Sequence, residues 1–169
     1  MNIIIRQPND NDVELYKHCF SNQEFHHNIY NDEPLDIEHY GNNNKRDLKF
    51  VLETIVDNVY RPTGFANFYY DSDNNIPTFV GGIIPEKINS GLGVYLNIAI
   101  FDYLFSNNIV STIYSGVYKF NTRSYKMLLA LGFKLIDNSQ ESYELQISKK
   151  DFDNGFVNHL KHKCLYKKL

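Results

Sequence analysis

Residues 83–93 read Ile-Ile-Pro-Glu-Lys-Ile-Asn-Ser-Gly-Leu-Gly and join a predicted strand, residues 76–84, to a long apolar predicted helix, residues 91–106. The first N–H groups of a helix have no partner within it, and the helix dipole makes that end attractive to anions. Glycines let a phosphate approach the backbone closely. The loop is therefore a candidate pyrophosphate site.

This loop fits neither of two nucleotide-binding fingerprints. Leu96 stands where a dinucleotide-binding loop needs its third glycine, and no Gly-Lys-Ser/Thr of a P-loop follows. Gly-x-Gly by itself is a weak signal, and a plain tight turn is the alternative interpretation.

A second segment, residues 121–133, follows a predicted strand and forms a predicted helix over residues 121–131. The residues that share one face at helical spacing are Asn121, Ser124, Tyr125 and Leu128. Capping of the helix by Asn121 and Gly132 would explain part of this pattern without any function.

Working outward, hydrophobic periodicity and turn residues predict the order β-α-α-β-β-β-α-β-α-β-β. The predicted strands are residues 2–6, 49–56, 63–70, 76–84, 109–118, 133–137 and 142–148, and the other two helices begin at Asp10 or Asp12 and near Pro34. Hairpins together with a β-α-β crossover predict an α+β fold, with a mixed, mostly antiparallel sheet of about seven strands and helices on both faces. Gly81-Gly82 indicate a bulge or a close backbone approach. We expect one domain, residues 1–148, and a basic, helical extension, residues 149–169.

Composition excludes several classes of protein. A chain of 169 residues with 43% hydrophobic side chains can bury a normal core, and 17 basic against 20 acidic side chains argue against a duplex-DNA binder. Cys19 and Cys164 are too few for a disulfide framework or a four-thiolate zinc site. With no signal peptide and no long apolar stretch, we expect a cytoplasmic protein without nucleic-acid or membrane partners.

The two segments, taken together, resemble the Gcn5-related N-acetyltransferase (GNAT) family, closest to its ribosomal-protein N-terminal and small-amine acetyltransferase branch. The resemblance covers nearly the whole chain. The family loop is Pro-x-x-Arg/Gln-Gly-x-Gly-x-Gly/Ala; Pro85, Gly91 and Gly93 match it, whereas Ile88 and Asn89 depart from it.

The family's helix motif is Asn-x-x-Ser/Ala-x-x-x-Tyr-x-x-x-Gly-Phe. Asn121, Ser124, Gly132 and Phe133 match it, and Leu128 stands at the tyrosine position. Residues 143–151 resemble the branch's last strand and its exit.

The resemblance implies that acetyl-CoA binds where the fourth and fifth strands splay apart. Fourth-strand backbone pairs there with the pantetheine amides, and the loop amides hold the pyrophosphate. The cofactor-binding residues that it implies are Ile83, Ile84, Asn89, Ser90, Gly91, Leu92, Gly93, Asn121 and Ser124.

The implied reaction is direct attack of a neutral amine on the thioester, with a backbone N–H stabilising the oxyanion. Leu128 removes the family's usual acid, so Tyr125, one turn after Asn121, becomes the candidate; a structural tyrosine is an equally good interpretation. Candidate bases by rough position are Glu86, Glu53 and Asp71, or a water chain.

Three acceptor classes fit the resemblance: a small amine, an aminosugar or a peptide N-terminus. Residues 10–40 carry eight acids against Lys17, so helices here could form an acidic mouth for a cationic amine, or simply a solvated face. The aromatic residues Tyr16, Phe20, Phe25, Tyr30 and Tyr40 would suit a sugar or pack the core. A homodimer is possible.

No metal is expected, because His159, His162 and Cys164 lack a fourth ligand. Two alternatives compete with the enzyme hypothesis. One is a degenerate family member that binds acetyl-CoA without turnover, and the other is an α+β interaction protein without a cofactor.

Overall fold

The computed structural model describes residues 1–31, 33, 46–70 and 75–168. The helix predicted near Pro34, the candidate base Asp71 and the aromatic residue Tyr40 lie outside them. The strands are β1 (Asn2–Arg6), β2 (Leu48–Val56), β3 (Val59–Tyr69), β4 (Thr78–Ile83), β5 (Thr112–Tyr118), β6 (Lys134–Asn138), β7 (Ser142–Ser148) and β8 (Leu165–Lys168). The helices are α1 (Val13–Ser21), α2 (Gln23–Tyr30), α3 (Leu92–Ser106), α4 (Thr122–Leu131) and α5 (Lys149–Asn154).

The strands form one sheet in the order β6-β7-β5-β4-β3-β2-β1-β8. Neighbouring strands are antiparallel except for β4 with β5 and β1 with β8, which are parallel. The parallel pair β4–β5 is joined by the crossover helix α3, as a β-α-β unit requires. The predicted mixed, mostly antiparallel sheet is confirmed, with one strand more than expected.

Helices cover both faces of the sheet. On one face α3, α4 and α5 pack against a large apolar core that includes Phe68, Phe101 and Phe152. On the other face α1 and α2 enclose a smaller cluster around Phe65. Because α3 is buried on most of its sides, its sequence is apolar almost throughout.

The strands β4 and β5 pair only at their beginnings. Thr78 lies opposite Tyr114, whose N–H donates to Pro77 O at 2.9 Å, and no further β4–β5 register pair follows in this fully described part of the sheet. The two strands therefore diverge, and the splay opens toward the N-terminal ends of α3 and α4.

The helix α2 falls where the sequence predicted only a polar stretch. Asn22 caps it by accepting a hydrogen bond from Phe25 N at 2.9 Å, and Asn31 ends it in the left-handed conformation with φ 49°. Its apolar face consists of Phe25, Ile29 and Tyr30, and this pattern was too short to identify as a helix.

Two further expectations differ from the structure. The extension expected to be helical contains α5 and a 3-10 turn (Phe156–Lys163), but it ends in strand β8, which pairs with β1. The bulge expected at Gly81-Gly82 is absent, because β3 and β4 pair in continuous register from Gly64 to Tyr69, a stretch that the structure describes in full.

Candidate functional site

A cavity of about 350 Å³ opens at the β4–β5 splay. It is lined by the end of β4, the loop before α3, the first turns of α3 and α4, and one face of α2. Its two ends differ in chemistry. One end consists of loop backbone, and the other, beside Gly82 of β4, consists of the aromatic side chains of Phe25 and Phe65.

The loop end is a cluster of unused backbone donors. Asn89 and Gly91 adopt positive φ, 66° and 79°, a backbone conformation that occurs in anion-binding turns. Within the described part of the chain, the N–H groups of Asn89, Gly91 and Gly93 donate no hydrogen bond. Three such donors at the start of a 15-residue helix form a site for an anion.

The exposed edge of β4 supplies the wall between the two ends. Ile84 N donates to Thr63 O at 3.0 Å, so the backbone of Ile84 faces β3. In an antiparallel ladder this direction alternates from residue to residue. The backbone groups of Ile83 and Gly81 therefore face the splay, where β5 has moved away.

Contacts of Phe79 and Ile84 agree with this alternation. Phe79, two residues before Gly81, has its carbonyl turned toward β5, because it accepts from Ser115 Oγ at 3.4 Å. The side chain of Ile84 packs in the cluster under α1 and α2. The structure thus brings Ile83 to the cavity as expected, does not bring Ile84, and adds Gly81.

Asn121 lies at the cavity with both ends of its amide engaged. Its Oδ1 accepts from Ser124 N at 3.1 Å as the cap of α4, and its Nδ2 donates to Asn28 O of α2 at 3.1 Å. Asn121 is buried and Ser124 lines the cavity beside it. Asn121 therefore serves as a link between two helices as well as part of the lining.

Two of the loop residues expected at the cofactor do not line the cavity. Ser90 Oγ donates to Lys87 O at 2.6 Å and accepts from Leu92 N at 3.2 Å, so it holds the loop in shape. Leu92 is buried in the core. Asn89, Gly91 and Gly93 do line it.

The structure does not bring Tyr125 to the cavity. Its ring stacks on Tyr143 of β7 with the ring centres 4.1 Å apart. Leu128, at the position of the family's tyrosine, is 2% exposed and packs in the main core. Among the described residues, no tyrosine, histidine, aspartate or glutamate lines the cavity.

The candidate bases are engaged elsewhere. Glu86 bonds His18 Nε2 through both carboxylate oxygens, at 2.8 and 3.0 Å, and this hydrogen bond holds the pKa of Glu86 below its usual value. Glu53 accepts from Arg6 Nε at 2.7 Å. Neither carboxylate lines the cavity.

Acids of the N-terminal acidic run are partly neutralised by partners. The ion pairs are Asp12–Arg6 (2.6 Å), Glu14–Lys17 (2.9 Å) and Glu24–Arg123 (3.3 Å). The run therefore presents less negative charge than its sequence suggests, and Arg123 brings a cation to the cavity lining.

Several lining residues were not found from the sequence. Asn28 and Ile29 come from α2, which was not predicted, and Phe25 of the same helix was considered only as an acceptor-site or core aromatic residue. Asn97 could have been found, because a polar amide is unusual inside the apolar helix α3. Its side chain faces the cavity, and its Nδ2 lies 3.5 Å from Met127 Sδ.

In the described residues, no group of three or more histidine, cysteine, aspartate or glutamate side chains is placed to hold a metal ion. None of the helices in that part of the chain has the length and hydrophobicity needed to cross a membrane. Cys19 and Cys164 are free and buried, and burial raises the pKa of both thiols, that of Cys19 to about 12.

Comparison with solved structures identifies the fold. The chain superposes on an acetyltransferase of the GNAT family from Bacillus anthracis with a TM-score of 0.74 and 17% identity, over 89% of this chain and 96% of that one. An aminoglycoside acetyltransferase in complex with coenzyme A gives 0.73 and 14%, over 90% and 98%. Spermidine N-acetyltransferase from Vibrio cholerae, in complex with CoA and spermine, gives 0.70 and 18%, over 89% and 97%. No protein-family model and no curated protein matches the sequence. The chain has the GNAT fold.

Proposed function

We propose that the chain is an acetyl-CoA-dependent N-acetyltransferase that moves an acetyl group to a primary amine by direct attack in a ternary complex. One observation carries the proposal. The unpaired edge of β4 leads from Gly81 and Ile83 to the three unused N–H groups at the start of α3. An extended, amide-containing chain with a phosphate at its end matches this arrangement.

Acetyl-CoA has that form, and the residues present fit it. The loop amides of Asn89, Gly91 and Gly93 would hold its pyrophosphate, and Arg123 supplies a cation to the same cavity lining. The backbone of Ile83 and Gly81 would pair with its pantetheine amides as an added strand. When bound, acetyl-CoA supplies an acyl thioester.

Acetyl transfer from a thioester to an amine needs little acid or base catalysis by side chains. An amine with a pKa near 10 must be neutral before it attacks, and with no carboxylate in the described lining its proton leaves to solvent. The CoA thiol has a pKa of about 8.5, so the thiolate departs without a strong acid. A backbone N–H of the inward-facing β4 residues would stabilise the oxyanion.

The acceptor is proposed at the level of a small amine, an aminosugar or a peptide N-terminus. Structural neighbours include enzymes named for aminoglycosides and for spermidine, both of which are amines. The free thiols of Cys19 and Cys164 agree with a reducing, cytoplasmic setting.

A second candidate function is an acetyl-CoA-binding sensor without turnover. It is favoured by the position of Tyr125, which stacks on Tyr143, and by the burial of Leu128. The two candidates share the cofactor site and differ in catalysis.

Titration with acetyl-CoA by calorimetry tests the shared site. Gly93→Glu places a carboxylate among the loop amides, and Gly93→Ala is its matched control. Gly93 lies in the first turn of α3, where a new β-carbon meets only Ile83 and Met127 at 3.8 and 4.0 Å. Both variants should therefore fold.

We expect micromolar binding, about 7–8 kcal/mol, by the wild type and by Gly93→Ala. Gly93→Glu should lose 100-fold or more, about 2.7 kcal/mol, because like charges repel. Absence of binding by folded wild type would overturn both candidates.

Turnover separates the enzyme from the sensor. CoA release over a panel of polyamines, aminosugars and peptides can be followed with a thiol reagent, since burial protects both cysteines of the chain. Release with any amine supports the enzyme, whereas tight binding without release on every amine supports the sensor.

A further inference from the structure

The apolar end of the cavity lies where the acyl group of a bound donor must be. Phosphates held by the loop after β4 leave the donor only one direction along the strand, from Ile83 back toward Gly81. The cavity lining there includes two aromatic side chains that lie against Gly82, those of Phe25 and Phe65, and Phe65 is 1% exposed. The space between these rings and the strand limits what this end can accept.

One side chain closes the end from the side of α2. The ring of Phe25 lies directly against Gly82 of β4, so closely that a β-carbon at Gly82 would overlap it. Phe25 is 7% exposed and lines the cavity. Glycine at position 82 is thus what allows the ring to reach the strand.

The Phe25 ring has little freedom to move away. It packs edge-on against Phe20 and Phe65, with centroid distances of 5.2 and 6.2 Å. These rings belong to the core under α1 and α2.

The helix that carries Phe25 is also fixed along its length. Three contacts tie it to the β5–α4 junction: the ion pair Glu24–Arg123 at 3.3 Å, the stacked rings His27–Phe120 at 4.3 Å, and the hydrogen bond from Asn121 Nδ2 to Asn28 O at 3.1 Å. The ring of Phe25 is therefore a fixed part of the cavity lining and does not open and close.

We propose that Phe25, seated on Gly82, sets the acyl-chain limit of the site, admitting an acetyl group and excluding longer linear acyl groups. The proposal rests on the proposed function, since it concerns the donor of that same cavity. It assigns Phe25 a role in specificity and none in bond making.

The test compares binding of CoA, acetyl-CoA and butyryl-CoA to the wild type, Phe25→Leu and Phe50→Leu. Phe25→Leu replaces the ring by a shorter apolar side chain and is therefore a conservative change. Phe50→Leu makes the same change at a buried phenylalanine on the other face of the sheet, outside the cavity lining. The readout is the ratio of the butyryl-CoA and acetyl-CoA dissociation constants, which is independent of the fraction of protein that folds.

The wild type should bind butyryl-CoA about tenfold or more weakly than acetyl-CoA. Phe25→Leu should reduce this ratio several-fold, since its side chain reaches less far toward Gly82 and leaves more room for the longer acyl chain, while Phe50→Leu keeps the wild-type ratio. Equal binding of both donors by wild type, or an unchanged ratio in Phe25→Leu, would overturn the role of Phe25 while acetyl-CoA binding stands. If the folded wild type binds none of the three, the proposed function falls and this role falls with it.

Discussion

The two ends of the cavity are built in opposite ways. The loop end, which we call the phosphate end after the group proposed to bind there, consists of backbone from one short segment, residues 89–93, whose shape depends on positive φ at Asn89 and Gly91. The other end, called the acyl end for the same reason, consists of the side chains of Phe25 from α2 and Phe65 from β3, brought together only by the tertiary fold. A local motif can therefore reveal the first end, whereas the second depends on packing between distant parts of the chain.

The contact between Phe25 and Gly82 offers the strongest test of this difference. Phe25→Ala should cost about 3 kcal/mol of unfolding free energy through lost burial, and Gly82→Ala about 2 kcal/mol through overpacking. In the double variant the new β-carbon occupies space left by the ring, so the combined loss should fall short of the sum by about 1–2 kcal/mol.

Urea unfolding of the four proteins measures this coupling. Losses that simply add would mean that the ring and the glycine do not act on each other. Gly93→Ala serves as the control from the phosphate end, where open space predicts no destabilisation and helix propensity predicts a gain of up to about 1 kcal/mol.

The link at Asn121 joins α2 to α4 and should have an intermediate effect. Asn121→Ala removes both the α4 cap and the bond to Asn28, at an expected cost of about 2 kcal/mol. Asn121→Ser keeps a hydroxyl for the cap but cannot reach Asn28, so about half of that loss should remain.

Hydrogen exchange separates these contributions. In both variants the amides of α2 should exchange faster than in the wild type, while early α4 amides lose protection only in Asn121→Ala. Unchanged exchange of α2 in Asn121→Ser would show that the helix does not depend on this bond.

Sequence analysis identified the phosphate end because its signal is local. The spacing of Gly91 and Gly93 before an apolar helix and the cap residue Asn121 specify backbone geometry within a few residues. The order of strands and the fold class followed from the same short-range patterns.

The acyl end could not be predicted from the sequence, and the reason is physical. The helix α2 has one short apolar face, and its role depends on Gly82, far away in the chain, being small. Ile84 shows a second limit: hydrogen-bond direction alternates along a strand, so a one-residue difference exchanges which backbone faces the splay. Only the register with β3 distinguishes Ile83 from Ile84.

The ion pair Glu24–Arg123 should have the smallest effect on stability, so variants at this pair report on acetyl-CoA binding with little change in folding. Its side chains are 66% and 45% exposed, so breaking it should cost less than about 0.5 kcal/mol. Arg123→Gln removes the cation from the cavity lining and should weaken acetyl-CoA binding about threefold to tenfold, more strongly at low than at physiological ionic strength. Glu24→Gln breaks the same pair but leaves the cation, so its affinity should equal or slightly exceed that of the wild type. Calorimetry at the two ionic strengths decides: equal weakening in both variants would assign the effect to the position of α2, whereas weakening in Arg123→Gln alone assigns it to the charge.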